Sequence, residues 1–132
     1  APKKQVRYYN DSKGTNPDAA IQGIRAMTTP TCLIGGGYDK GSTYDEWIEA
    51  FGSTIKYLVL IGQTSKAIAD CCEKHGFTNY EFATSMEEAV EKCASHAKPG
   101  EAVLLSPACA SWDMFPSYEV RGEKFKEIVN SL

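Results

Sequence analysis

The chain has 132 residues, 42% hydrophobic and 23% charged, with a formal net charge of −3. That balance fits one globular domain with a self-supporting core. It argues against nucleic acid as a partner, which needs a concentrated basic face, and no apolar run approaches the roughly 20 residues of a membrane helix.

The opening APKKQVRYYN lacks the apolar region of a signal peptide and enters strand almost at once, so Ala1 reads as an edge within a longer chain. A short strand is expected over 6–9, then a polar loop over 10–15. Asn16 is placed to cap a helix with Pro17 at its first position, and Ile21, Ile24 and Met27 follow at helical spacing. Residues 31–34 read as a buried strand closed by Gly35, Gly36 and Gly37. Thr43 and Glu46 form a capping-box pattern, with Tyr44, Trp47, Ile48 and Phe51 on one face of the helix that follows.

Residues 55–61 are an almost unbroken apolar run, as in a parallel strand covered on both faces. Gly62 and Gln63 make a tight turn, and Thr64 is expected to cap a helix whose inner face is Ile68, Cys71 and Cys72. A short strand over 79–83 follows. Ser85 and Glu88 make a second capping box ahead of a stripe of Met86, Ala89, Val90, Cys93 and Ala97. Residues 103–105 are the last strand, and Phe125, Ile128, Val129 and Leu132 mark the last helix.

Strand and helix therefore alternate five times. The expected fold is α/β, a Rossmann-like three-layer sandwich: one domain over 1–132 with a mainly parallel sheet and helices on both faces. The loops after Tyr9, Gly35, Ile61 and Leu105 should share one sheet edge, where ligands of such folds bind.

Three of those loops carry chemistry. Asp11, Ser12, Lys13 and Thr15 precede a helix N-terminus and suit an anion, although an ordinary polar loop would look the same. GGGYDKG is neither a P-loop nor a dinucleotide fingerprint, but Lys40 can act as a point charge for a carboxylate or phosphate. In SPACASWDMF, Ser111 offers a hydroxyl, Cys109 is a nucleophile without a nearby histidine, and Trp112 and Phe115 read as packing groups. Together Lys13, Thr15, Lys40 and Ser111 suggest an anionic small molecule. The five cysteines read as reduced small hydrophobes. With His75 and His96 both expected to be exposed at helix C-termini, no metal site is expected.

NDSKGTNPDAA, LIGGGYDKG and LSPACASWDMFPSYEVRGEKF resemble signature stretches of the C-terminal domain of the Mur ligase family, in its D-glutamate-adding branch. The resemblance runs in order from about Val6 to the end, and the last stretch is the most specific. It implies an ATP-dependent amide ligase of peptidoglycan precursor synthesis, acting in the cytoplasm. ATP and Mg2+ serve the whole enzyme, and an acyl phosphate of UDP-N-acetylmuramoyl-L-alanine is attacked by D-glutamate. The resemblance further implies that an N-terminal UDP-binding domain and a central ATPase domain belong to the same polypeptide, and that an early strand or hairpin of the third domain precedes Ala1.

By position, the resemblance gives D-glutamate binding to Thr15, Lys40, Ser111 and Tyr118, and nucleotide contact to Asp11 and Lys13. Catalytic residues and metal ligands are expected outside this domain, which would be inert alone. The alternatives are another Mur or folylpolyglutamate-type ligase domain, a non-enzymatic Rossmann-like module for small anions, and a thiol redox protein using Cys71, Cys72 or Cys109.

Overall fold

A computed structural model of the chain describes residues 5–38 and 41–132. Five strands and five helices alternate along it. The strands are β1 (Arg7–Asn10), β2 (Thr31–Gly35), β3 (Ile55–Leu60), β4 (Tyr80–Phe82) and β5 (Ala102–Leu105). The helices are α1 (Pro17–Arg25), α2 (Asp45–Glu49), α3 (Ser65–Lys74), α4 (Met86–His96) and α5 (Tyr118–Asn130). The sheet order is β1-β5-β2-β3-β4, and every pairing is parallel.

The period of two along each strand divides the core into two layers. Leu33, Leu58, Leu60 and Leu104 point to one face, where Ile21, Ile24, Trp47, Phe51 and Ile68 of α1, α2, α3 and the α2–β3 link cover them. Cys32, Ile34, Val59, Val103 and Leu105 point to the other, against Met86, Val90 and Cys93 of α4 and Phe125 and Ile128 of α5. This is the expected three-layer sandwich. Central strands buried on both faces require the continuous apolar runs the sequence carries.

The caps agree with expectation in part. Asn16 Oδ1 accepts the Ala19 N–H at 2.9 Å, and Ser85 Oγ accepts the Glu88 N–H at 3.1 Å. Glu88 reaches back to the Thr84 N–H, not to that of Ser85, so the box closes one residue early. The box expected of Thr43 and Glu46 does not form: Tyr44 occupies the N-cap and makes no side-chain cap bond. Thr64 stands at the N-cap of α3 but does not cap it; its hydroxyl is engaged elsewhere. All five cysteines are free. No helix among the described residues is long and apolar enough to cross a membrane.

Candidate functional site

Parallel strands bring the loops after β1, β2, β3 and β5 to one edge, and backbone bonds knit them there. Asp11 N–H donates to Leu105 O at 2.7 Å, and Ala108 N–H to Gly14 O at 2.9 Å. Gly36 N–H reaches Pro107 O at 2.9 Å, Tyr38 N–H reaches Ala110 O at 2.8 Å, and Thr64 N–H reaches Gly37 O at 3.1 Å. Gly37 N–H is returned to Thr64 Oγ1 at 3.0 Å, which is why that hydroxyl is lost to the α3 cap.

Gly36, at φ +101°, lies where a Cβ would collide with the Ile61 carbonyl oxygen, so the chain needs glycine there both for conformation and for space. Ala108 is held at φ +63°, a left-handed backbone that costs a β-carbon residue about 1 kcal/mol.

Arg121 fastens the first and last of these loops together. It is 1% exposed, and among the described residues its side chain forms no ion pair with a carboxylate. Nε–H donates to Ser12 Oγ at 2.9 Å, one terminal nitrogen to Ser12 O at 2.7 Å, and the other to Cys109 O at 3.0 Å. Burial away from water lowers its pKa to about 10. Sequence reasoning missed this residue. The available signal was its place on the α5 stripe with Phe125 and Ile128, a charged residue at a core position.

The Ser12 hydroxyl also donates to Tyr118 O at 2.7 Å. Asp11 Oδ2 accepts from Ser106 Oγ at 2.8 Å, another link between the first and last loops. Lys13 is exposed and Thr15 half-buried. Tyr118, 38% exposed, shares with Ser12 and Lys13 a shallow depression of about 310 Å³.

Ser111 is 2% exposed, and its Oγ has no hydrogen-bond partner among the described residues. Its carbonyl is occupied, accepting the Met114 and Phe115 N–H groups at 3.0 and 2.8 Å. A buried hydroxyl with nothing to bond costs on the order of 1–3 kcal/mol, and a ligand group can recover that cost.

Beside it the expectation for Trp112 fails. The indole is 62% exposed and leans edge-on against Tyr38, centroids 5.4 Å apart, on the rim of the loops. Cys109 is buried, and burial pushes its thiol above the ordinary range despite the contacts with Thr64 Oγ1 and Tyr44 Oη, both 3.4 Å from its sulfur, which disfavours the thiolate a nucleophile needs. Lys40 lies outside the described residues. Thr15, Asp11, Lys13 and Ser111 thus stand on the two loops that Arg121 joins, and Tyr118 opens the helix that follows the second.

A family model described as Mur ligase, glutamate ligase domain, matches residues 1–109. The chain is 62% identical, over its whole length and 29% of that protein, to the UDP-N-acetylmuramoylalanine–D-glutamate ligase of Lachnospira eligens. Against the ligase of the same name from Clostridioides difficile it is 51% identical over 96% of the chain and 28% of that protein. The chain therefore spans under a third of these curated relatives.

Among solved structures, the UDP-N-acetylmuramate-alanine ligase of Thermotoga maritima superposes with a TM-score of 0.54 at 15% identity, covering 88% of this chain and 25% of that one. A single domain from a ligase of Haemophilus ducreyi gives 0.53 at 12% identity and covers 86% and 85% of the two chains. These two likenesses speak to the fold.

Proposed function

Because the chain belongs to the Mur ligase family as its glutamate ligase domain, we propose that it is the amino-acid-presenting domain of an ATP-dependent ligase. That ligase joins D-glutamate to UDP-N-acetylmuramoyl-L-alanine in peptidoglycan precursor synthesis, in the cytoplasm. The single observation that carries the reading is Ser111 Oγ, buried, unbonded and held at the edge where the loops converge.

D-Glutamate has two carboxylates and one amine, so its holder needs two separated anion contacts. Ser111 supplies one, donating its free hydroxyl hydrogen to a carboxylate. Thr15, with Lys40, supplies the other. Lys40 enters on sequence alone. A hydrogen bond to a charged group contributes roughly 1.5–3 kcal/mol, so two or three suffice to orient a small dianion. The Tyr118 ring stands beside Ser12 and Lys13 at the outer side of the same loops.

Asp11 and Lys13 face the nucleotide. A carboxylate steadied by Ser106 and an exposed ammonium fit the edge of such a ligand. When bound, ATP with Mg2+ supplies the phosphoryl group that activates the acceptor carboxylate. We assign the nucleotide cradle and the Mg2+ ligands to the central domain of the same polypeptide, and the sugar nucleotide to its N-terminal domain. This domain's own contribution is to fix the amine of D-glutamate against the activated carbon and to exclude water, a positioning role that can lower the barrier by several kcal/mol.

In the complete ligase, Ser111→Ala raises the KM for D-glutamate about tenfold, the value of one charged hydrogen bond, with the KM for ATP unchanged. An unchanged D-glutamate KM overturns the assignment.

A further inference from the structure

Where the start of α2 meets the end of α3, three side chains of different chemistry converge. Cys71 lies in the last turn of α3, and His75, four residues on, is the C-cap of that helix. Asp45, the first residue of α2, lies against them. His75 Nε2 stands 2.7 Å from Asp45 Oδ1, and Cys71 Sγ stands 3.5 Å from the same oxygen. All three donor atoms fall within 4.8 Å of one another.

We propose that Asp45, Cys71 and His75 bind a divalent zinc-like cation. Metal–ligand distances of about 2.0–2.3 Å in a tetrahedral site put donor atoms roughly 3.3–3.8 Å apart. The observed separations close on such a site with side-chain shifts of under an ångström or so. An imidazole, a thiolate and a carboxylate select zinc over magnesium or calcium, which prefer oxygen alone.

A second feature supports the same occupant. Glu49 Oε2 lies 3.9 Å from His75 Nδ1, outside hydrogen-bond range, and a rotation of this exposed side chain would bring the carboxylate onto the ring nitrogen that a metal at Nε2 would leave protonated. Metal-bound histidines are commonly oriented this way. The position already attracts a cation: Lys74 Nζ lies 2.8 Å from Asp45 Oδ1, on a side chain 65% exposed and free to swing out. The imidazole is 22% and the Asp45 side chain 39% exposed, which leaves room for a water as fourth ligand. Binding joins α2 to α3 through atoms that apolar packing does not fix.

Titrating the 132-residue chain with Zn2+ in a calorimeter, and with Co2+ in a spectrophotometer, tests this. One equivalent should bind, the Co2+ form should show a thiolate charge-transfer band, and Zn2+ should raise the thermal midpoint. Cys71→Ser should abolish the band. Cys71→Ser and His75→Ala should each weaken Zn2+ binding tenfold or more, and the exposed change Glu49→Gln about tenfold. Circular dichroism checks that each variant folds, and Glu49→Gln keeps the test open if a ligand variant does not. Absence of stoichiometric Zn2+ binding, or equal affinity in the wild type and a folded variant, overturns the site.

Discussion

The amino and carboxyl ends of the sheet are both rich in polar groups, but they use them differently. At the amino end of β3 and β5, Lys56 bonds Glu101 at 2.7 Å and the His96 carbonyl at 2.9 Å. Nearby, Tyr57 donates to Glu81 at 2.8 Å and stacks on His96, and Lys92 pairs with Glu81 at 3.2 Å. Each of these four charges, Lys56, Glu101, Glu81 and Lys92, has a protein partner, and the groups stand partly in water. At the carboxyl end the polar groups are deeper. The Ser12 hydroxyl satisfies Arg121 and Tyr118, while the Ser111 hydroxyl, equally deep, meets no partner among the described residues. Polar groups that answer one another serve the fold; of the unmatched buried atoms, Trp47 Nε1 and Tyr8 Oη belong to core side chains, whereas Ser111 Oγ stands on a loop at the ligand edge.

Removing the Arg121 fork should break the contrast most severely. Arg121→Met leaves the Ser12 and Cys109 carbonyls buried without donors and should cost about 4 kcal/mol in urea unfolding. Arg121→Lys should restore little, because an ammonium cannot reach the three acceptors of a planar fork.

Gly36→Ala comes next. It sets a Cβ against the Ile61 carbonyl at a left-handed backbone position and should cost about 3 kcal/mol. Ser111→Ala, by contrast, should leave stability within about 1 kcal/mol of the parent or raise it, since it removes an unmet hydroxyl. A loss as large as that of Arg121→Met would mean that Ser111 serves the fold after all.

The smallest effect belongs to the amino end. The Tyr57 hydroxyl bond above all, with help from Lys92 and His96, holds the Glu81 carboxyl below its ordinary value, while Tyr57 itself is pushed up to about 12 by burial and by Glu81. A carboxyl depressed in the fold stabilises it above the unfolded pKa, and that contribution disappears as pH falls through the folded one. Urea midpoints of Glu81→Gln measured from neutral to acid pH should therefore decline less steeply than those of the parent.

Much of this was legible in the chain itself. Nearly unbroken apolar runs at 31–34, 55–61 and 103–105 gave strands covered on two faces, and the helical stripes between them gave the crossovers. Short connections between parallel strands then force the chemistry-bearing loops to one edge, so Asp11, Lys13, Thr15 and Ser111 could be grouped beforehand. Trp112 could not be read correctly. Its size suggests burial, but the turn begun at Ser111 carries it outward to Tyr38. The cap pattern of Thr64 misled for a similar reason: Gly37 N–H, 27 residues away, takes its hydroxyl.

By itself the sequence determined the layers, the order of elements and the sheet edge that carries the site, because those follow from local periodicity and from loops too short to permit another path. Only the tertiary structure decided that Arg121 binds two loops, that Ser12 is satisfied while Ser111 is not, and that Asp45 meets Cys71 and His75. Each of these depends on contacts between residues far apart in the chain, and no local pattern encodes which buried polar atom will find a partner.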